Sequence, residues 1–385
     1  MIHTDPREEN IPASAEPSKA TILIVEDEPG PRNSLTMILR PFYHLHVVDN
    51  AHAARRVLGE QRIDLVTLDL KLPDCQGMDL LQEIKLERNE VEVIIITGYG
   101  SLKSAMDGIR YGAAGYLLKP FNVAELIALI QQTLEKKQRL DRLRDLLASS
   151  RSAWETEQSA TLAWSHLREQ YRSLAQEKRR ADFPAGEQAE LASLLSELLE
   201  AKDRELLNHS TRVSGYAALL ADHMNLTASE RKALALGSFL HDIGKIALPD
   251  HLVSKGGEPG QRGSEGFKRH PEIGARMILP LQFPAEVGQI ISYHHERWDG
   301  AGYPNGLQGE GIPLLARVVC IAEVFDHLVS EEATSIEEAI EEIQRQAGTS
   351  FDPTLASLFA RVATECKASL PALAASSGQA AVPES

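Results

Sequence analysis

Cysteine is scarce in this chain of 385 residues. The three thiols, Cys75, Cys320 and Cys366, lie far apart and form no C-x-x-C pair. Cysteines placed in this way give no sign of a disulfide framework. We therefore expect reduced thiols in a cytoplasmic protein.

Long apolar runs and an excess of positive charge are also missing. Because no run of about 18 apolar residues occurs, no membrane span is expected. The polar segments at 1–19 and 367–385 are expected to be flexible tails, and the first lacks the apolar core of a signal peptide. A formal net charge of −15 argues against DNA as a partner, since nucleic-acid binding uses a basic face. A small anionic ligand held by a local basic cluster remains compatible with this charge.

Residues 20–135 alternate between helical patterns and short apolar runs. The runs are TILIVED, HLHVVD, DLVTLDL, EVIIITG and GYLLKP. Continuous apolar strands separated by helices predict an α/β domain with a parallel five-stranded sheet covered on both faces. Ligands of such sheets bind at the carboxyl ends of the strands, where the acidic residues of this segment lie.

The rest of the chain is predicted to be helical. Residues 136–187 form a predicted long linker, and its apolar positions favour a coiled coil between two copies about equally with a solvated helix. Proline and glycine at 181–187 end this pattern. Residues 188–366 are predicted to form an all-α domain with Gly- and Pro-rich loops. Seven of the 13 histidines fall between 209 and 295, which needs a chemical explanation.

Polar residues close the predicted strands of the first domain. Glu26 and Asp27 together with Asp69 would form an oxygen-rich pocket suited to Mg²⁺. A hydroxyl on Thr97 and an ammonium on Lys119 could meet phosphoryl oxygens. A single aspartate at a strand end is usually only a helix cap. Five polar residues that follow successive strands in this order instead indicate a site.

This region resembles the receiver domain of two-component response regulators. The matching segments are LIVEDE, VTLDLKLPDCQGMDLL, IIITGYG and GAAGYLLKPF. The resemblance implies a flavodoxin-like fold in which Asp69 accepts a phosphoryl group from a cognate histidine kinase. The other positions it implies are Glu26, Asp27 and the Lys71 carbonyl for Mg²⁺, Lys119 for the phosphoryl group, and Thr97 and Tyr116 for the switch.

The histidine-rich half carries a second cluster of chemistry. His241 is followed directly by Asp242, and this pair offers one imidazole and a carboxylate able to bridge two ions. Imidazoles with few thiols suit Fe, Mn, Zn or Ni, and two such ions can clamp both oxygens of a phosphoester. A lone histidine is more often structural, and we place His223 and His251 in that class. The adjacent His294 and His295 can reach one ion only if the helix ends or deforms at 293–296.

These residues resemble the HD superfamily of metal-dependent phosphohydrolases and, within it, the HD-GYP branch that hydrolyses cyclic di-GMP. The matches, over 200–360, include NHSTRVSGYAALLA, FLHDIGKIALPD, KRHPEIGARMI and ISYHHERWDGAGYPNG. The resemblance implies two or three transition-metal ions, Fe or Mn. It implies His209, His241 and Asp242 for one ion, Asp242 as the bridge to a second held by His270, His294 and His295, Glu205 for a third, and Lys245 beside the substrate phosphate.

Two departures from the HD-GYP pattern leave the function open. Glu323 stands where the family has an aspartate that closes the shell of the first metal. No Lys or Arg lies between Arg317 and Arg345, whereas seven Glu and one Asp do, so the family's basic grip on the dinucleotide is missing. Three hypotheses follow. They are a phosphorylation-controlled phosphodiesterase that converts cyclic di-GMP to pGpG or GMP, an impaired output domain that signals by binding, and a hydrolase of another phosphoester.

Overall fold

The computed structural model describes residues 19–98, 100, 102–149, 151–176, 187–253, 264–330, 334–367 and 370. The chain divides into two compact units, Met1–Gln138 and Arg139–Ser385. The predicted tails at 1–19 and 367–385 lie almost entirely outside the described residues, as does the side chain of His251. No helix of the described part is long and apolar enough to cross a bilayer.

The first unit confirms the predicted parallel sheet. Its strands are β1 (Thr21–Val25), β2 (His44–Val48), β3 (Leu65–Leu68), β4 (Glu92–Thr97) and β5 (Gly115–Leu118), in the order β2-β1-β3-β4-β5. Every neighbouring pair is parallel. The connecting helices are α1 (Pro29–Leu39), α2 (Ala51–Glu60), α3 (Gly77–Glu87), α4 (Leu102–Arg110) and α5 (Val123–Ser149).

Apolar side chains cover both faces of this sheet because most positions of the inner strands are hydrophobic and buried. Leu23, Val66 and Val93 belong to the core on one face. Ile22 and Ile94 belong to the core on the other. Parallel strands buried on both faces read as continuous apolar runs, which is the pattern seen in the sequence.

The second unit is built of helices, as predicted. They are α6 (Glu157–Gln176), α7 (Glu187–Lys202), α8 (Arg204–Ala221), α9 (Ala228–Leu240), α10 (Asp250–Val253), α11 (His270–Ile278), α12 (Ala285–Tyr293), α13 (Leu314–Ser330), α14 (Ile336–Arg345) and α15 (Pro353–Glu365). Local sequence fixes several starts. Thr227 and Glu230 form a reciprocal capping box at α9, and Asp352 caps α15.

The region predicted as a linker contributes to the core of the second unit. Leu140, Leu143 and Leu147 are buried in the same apolar cluster as residues of α7, α8 and α13. Arg144 also donates from Nε to the Ala201 carbonyl at 3.0 Å. The apolar positions on the second half of α5 therefore pack within the chain, and a coiled coil between two copies stays a prediction, as do the exact domain limits.

Candidate functional site

The first site lies where β1 and β3 end beside each other. Glu26 and Asp69 directly follow these two neighbouring strands, and with Asp27 they offer oxygens within 4.8 Å of one another. Lys119 donates from Nζ to Asp69 Oδ2 at 2.5 Å and to Glu26 Oε2 at 2.6 Å. Thr97 donates from Oγ1 to Asp69 Oδ1 at 2.9 Å. The structure thus brings all the predicted strand-end residues together.

The acidic pocket contains a carboxylate oxygen that could ligate a cation. Glu26 Oε1 is buried and accepts no hydrogen bond from the described residues. Burial raises the pKa of Glu26, although the neighbouring Lys119 opposes that rise. A buried carboxylate oxygen without a donor is costly, and a hard divalent cation such as Mg²⁺ would satisfy it.

Two further predicted positions surround the acceptor in different ways. The backbone N–H of Lys71 donates to Asp69 Oδ1 at 3.1 Å, which closes the following loop onto the aspartate. A Cβ on Gly77 would lie 2.2 Å from the Asp69 carbonyl oxygen, so this close approach needs glycine. The Tyr116 hydroxyl instead pairs with Ser104 of α4 at 3.1 Å. In the described part of the chain, no hydrogen bond joins Tyr116 to Asp69.

The second site is assembled from the ends and inner faces of five helices. α8 supplies His209, His241 and Asp242 directly follow α9, α11 begins with His270, His294 and His295 directly follow α12, and α13 supplies Glu323. These side chains form two groups. Within each group, the ligand atoms lie within 4.8 Å of one another. One group is Asp242, His270, His294 and His295, and the other is His209, His241 and Glu323.

The adjacent histidines lie at a helix end, as expected from their spacing. α12 ends at Tyr293, and His294 is its C-cap residue. The Glu296 backbone N–H then donates to the Tyr293 carbonyl at 3.0 Å, which turns the chain. Both imidazoles can therefore approach His270, with centroids 5.4 Å and 5.0 Å from its ring.

Asp242 lies between the two groups and faces each with a different oxygen. Its Oδ2 is 3.4 Å from His241 Nε2 and 3.6 Å from His209 Nε2. Its Oδ1 is 3.2 Å from His270 Nε2, is fully buried, and accepts no hydrogen bond from the described residues. This carboxylate has the placement of a bridge between two cations, and the uncompensated oxygen fits a metal ligand.

Three of the histidines are oriented by the same device. In each, Nδ1 lies within 3.0 Å of the carbonyl oxygen three residues earlier, and since a carbonyl only accepts, Nδ1 carries the proton. The pairs are His241 with Ser238 (2.7 Å), His270 with Phe267 (2.8 Å) and His294 with Ile291 (2.9 Å). Nε2 is thereby left as the ligand atom.

Burial favours the neutral form of His241, His294 and His295, as metal ligation requires. It lowers the pKa of His241 to about 4. The pKa values of His294 and His295 also fall well below the usual value, first because of burial and then because of neighbouring histidines. Glu323 shows the opposite shift. Burial, followed by the charge of Asp242, raises its pKa to about 8. Crowded carboxylates beside neutral histidines favour the binding of cations.

Asp326 is a residue that the sequence reasoning missed. Its Oδ2 lies 2.8 Å from His209 Nδ1, and its Oδ1 accepts from Arg212 Nε at 2.7 Å. Asp326 follows Glu323 by three residues, so helical spacing could have placed both on one face of α13. Arg212 also donates to Glu205 at 2.8 Å. Glu205 is not part of the ligand groups found among the described residues, and its role for a third ion stays a prediction.

Replacing Asp326 by Asn should weaken metal binding at the group that contains His209. An amide has one acceptor oxygen, so it cannot accept from both His209 Nδ1 and Arg212 Nε as the carboxylate does. Outer partners of this kind typically contribute 10–100-fold in metal affinity. Isothermal titration of the metal-free protein with Mn²⁺ measures the change. Ser330→Ala is the matched control because it removes only the hydroxyl that donates to Asp326 at 3.2 Å. Equal affinities for Asp326→Asn and Ser330→Ala would contradict this role.

The Gly- and Pro-rich loop after the histidine pair forms one wall of the site. The buried Glu296 carboxylate accepts from the backbone N–H groups of Asn305 at 2.7 Å and Leu307 at 3.0 Å. The loop is thereby held so that Tyr303 stacks on His295, with ring centroids 4.7 Å apart and an interplanar angle of 26°. Trp298 donates its backbone N–H to Ser350 at 3.1 Å and so joins the wall to the segment before α15.

Two lysines stand near the ligand cluster on aromatic rings. Lys245 pairs with Asp242 and lies 5.1 Å from the centroid of Phe267, a ring that adjoins His270. Lys268 lies 5.9 Å from the centroid of Tyr303. Lys268 also pairs with the exposed Glu265 at 3.2 Å. The arginines are paired with less exposed carboxylates. Arg212 pairs with Asp326, Arg297 with Asp299 and Arg317 with Asp352.

The acidic helix α14 points its charges outward. Ala339, Ile340 and Ile343 bury its apolar face, whereas Glu337, Glu338 and Glu341 are exposed. Glu338 belongs to the capping box with Ser335. The glutamates of α14 therefore form a solvated face, as the sequence alone allowed, although the basic residues of the family pattern remain absent from 318–344.

Family comparisons agree with the two units. A response regulator receiver domain model matches residues 22–131, and an HD domain model matches residues 193–355. The chain belongs to the response regulators that combine a receiver domain with an HD domain.

Two of the relatives match most of this chain, and a third matches less than half of it. The chain is 29% identical to a "Probable cyclic di-GMP phosphodiesterase" of Vibrio cholerae, over 89% of this chain and 77% of that protein. It is also 29% identical to the "Cyclic di-GMP phosphodiesterase response regulator RpfG" of Xanthomonas campestris, over 86% and 85%. A "3'3'-cGAMP-specific phosphodiesterase 2" of Vibrio cholerae is 35% identical over 44% of this chain and 34% of that protein.

Proposed function

We propose that the protein is a cytoplasmic response regulator, phosphorylated on Asp69, which controls a metal-dependent phosphodiesterase that hydrolyses cyclic di-GMP to pGpG or GMP. The observation that carries the proposal is the buried Asp242, whose two oxygens face two separate groups of ligand residues. Relatives that cover most of this chain are named for the same activity.

The donor set fits two transition-metal ions, Fe or Mn. We propose His209, His241 and Glu323 for one ion, His270, His294 and His295 for the other, and Asp242 for both. When bound, such a pair activates water for attack and stabilises the leaving oxygen of a phosphoester. The protein favours the neutral form of His241, His294 and His295, orients three histidines through backbone carbonyls, and buries Asp242 fully.

The receiver contributes control through Asp69. We propose that Glu26 and Asp27, with the Lys71 carbonyl, hold Mg²⁺ beside the acceptor. A cognate histidine kinase is the proposed phosphoryl donor. Lys119 already contacts Asp69 and can neutralise charge on an incoming phosphoryl group. Thr97 and Tyr116 are the proposed switch residues, and dimerisation through the linker stays a proposal.

Turnover of cyclic di-GMP tests the phosphodiesterase directly. Iron- or manganese-loaded protein under reducing conditions should release pGpG or GMP, measured by liquid chromatography. His241→Ala should release neither, whereas His223→Ala should match wild type because His223 is exposed on the surface. The absence of product from metal-replete wild-type protein would overturn the proposed activity.

A second candidate function rests on the pairing of the arginines. Arg317 and Arg297 are each neutralised by a carboxylate, and residues 318–344 add no cation. A weak grip on a dianion favours an output domain that binds metal and signals through protein contacts. This function would be supported if the protein shows no turnover and if the proteins it captures differ between wild type and Asp69→Glu.

A third candidate function is hydrolysis of another phosphoester. It would show as turnover of 3'3'-cGAMP without turnover of cyclic di-GMP.

We expect Lys268 to bind a phosphate of the substrate in place of the basic residues that are absent between Arg317 and Arg345. Its ammonium lies over Tyr303, the ring that stacks on His295. It also pairs with Glu265 at 3.2 Å, but that carboxylate is 92% exposed, so solvent screens the pair. Lys268→Ala should raise KM for cyclic di-GMP about tenfold, the effect of losing about 1.4 kcal/mol, with little change in kcat. Lys268→Arg should retain most of the affinity. An unchanged KM in Lys268→Ala would exclude this contact.

A further inference from the structure

The segment that precedes α7 packs against the helix that carries His270. A 3₁₀ turn at Arg151–Trp154 lies against α11, and helix α6 lies against both α11 and the turn that follows it. Trp154 and Trp164 are 2% and 3% exposed, and their rings pack edge to face with centroids 5.7 Å apart. This tryptophan pair belongs to the core cluster of the second unit.

Two hydrogen bonds fasten the C-terminal end of α11 to this segment. The Trp164 indole Nε1–H donates to the Met277 carbonyl at 2.7 Å, in a buried position. Arg276 donates from Nη1 to the Glu155 carbonyl at 2.8 Å. Carbonyls in the last turn of a helix lack partners within the helix, so the indole satisfies one that burial would otherwise leave unpaired.

The N-terminal end of α11 packs directly against the backbone that follows Asp242. A Cβ on Gly244 would lie 2.0 Å from the His270 carbonyl oxygen and 2.7 Å from the Gly274 nitrogen. The backbone of α11 therefore rests on the chain immediately after Asp242. Because nothing compressible separates them, a shift of α11 changes the 3.2 Å distance between His270 Nε2 and Asp242 Oδ1.

We propose that Trp164 is a positioning residue for the metal site, which holds α11 so that His270 faces Asp242. The inference rests on the proposed function only in that this cluster binds metal. It gives the segment 151–176 a task beyond linking. Any event that loosens the indole from Met277 would move a ligand of the site, so this contact is also a point where the site could be regulated.

The matched pair of variants is Trp164→Phe and Trp154→Phe. Both replace a buried indole by a smaller phenyl ring, so both lose similar packing. Only Trp164→Phe also loses a hydrogen bond, since Trp154 Nε1 has no hydrogen-bond partner among the described residues. Trp164→Phe should weaken Co²⁺ binding about tenfold, within the range for outer groups that orient ligands. It should also change the visible absorption of bound Co²⁺, which reports ligand geometry, and lower kcat with KM unchanged. Trp154→Phe should resemble wild type in all three measurements.

The outcomes separate this inference from the proposed activity. A Trp164→Phe protein with the wild-type Co²⁺ affinity and spectrum would overturn the positioning role. So would equal changes in Trp154→Phe, because they would reflect the packing of the indoles and not the hydrogen bond. Wild-type protein that binds Co²⁺ but cleaves no cyclic di-GMP would refute the proposed activity and leave the positioning role standing if the two variants still differ.

Discussion

Asp242→Asn is expected to abolish phosphodiesterase activity, with a loss of at least about 10³-fold in kcat. Metal ions supply several kcal/mol of transition-state stabilisation, and each 1.36 kcal/mol corresponds to tenfold in rate. An amide keeps the shape of the side chain but cannot bridge two cations with two anionic oxygens. Since Asp242 faces both ligand groups, one substitution should affect both ions.

The measurement combines metal content with product release. Asp242→Asn should bind fewer ions per chain by elemental analysis and should release no pGpG above the metal-free background. Asp222→Asn serves as the control because Asp222 is an exposed carboxylate paired with Arg231 at 3.0 Å. Full metal content and full turnover in Asp242→Asn would remove the bridging carboxylate from the mechanism.

Asp69→Asn is expected to eliminate phosphorylation of the receiver. The amide is not a nucleophile for phosphoryl transfer, and it also removes the anionic partner of Lys119 at 2.5 Å. Incubation with a small-molecule phosphoryl donor and Mg²⁺, followed by intact-protein mass spectrometry, should show one added phosphoryl group on wild type and none on the variant. Any dependence of turnover on the phosphoryl donor should vanish with it.

Asp49 provides a closely matched control for this variant. It too follows a strand directly, since β2 ends at Val48, but its side chain is exposed and lies at the edge of the sheet. Asp49→Asn should therefore be phosphorylated like wild type. Phosphorylation of Asp69→Asn to the wild-type level would place the acceptor elsewhere.

The sequence predicted the parts of the fold that depend on short-range pattern. The five apolar runs became the five strands, and the residues that close them meet because parallel strands end at one edge of a sheet. The break of α12 at His294 was also predictable, because two adjacent side chains on a regular helix diverge by about 100°.

Other features depend on distance in space and could not be read from spacing alone. Asp326 lies far along the chain from His209, so only folding reveals that it orients that ligand. Glu323 replaces an aspartate of the family pattern, and only the structure shows that its oxygen lies with His209 and His241. The spacing of apolar residues on the second half of α5 predicts that one face of the helix is buried. It does not predict which surface packs against that face.

The packing of residues 139–176 determines where the second unit can be joined to another sensory domain in a fusion protein. Sequence similarity to HD domains begins at residue 193, well inside the folded unit that starts at Arg139. A chimaera joined at residue 188 would leave out Trp154, Trp164 and Tyr171, all of which are core residues of that unit. Such a fusion would expose apolar surface beside α11 and lose the indole that holds it. A join ahead of Arg139 would carry the complete catalytic module with its own support.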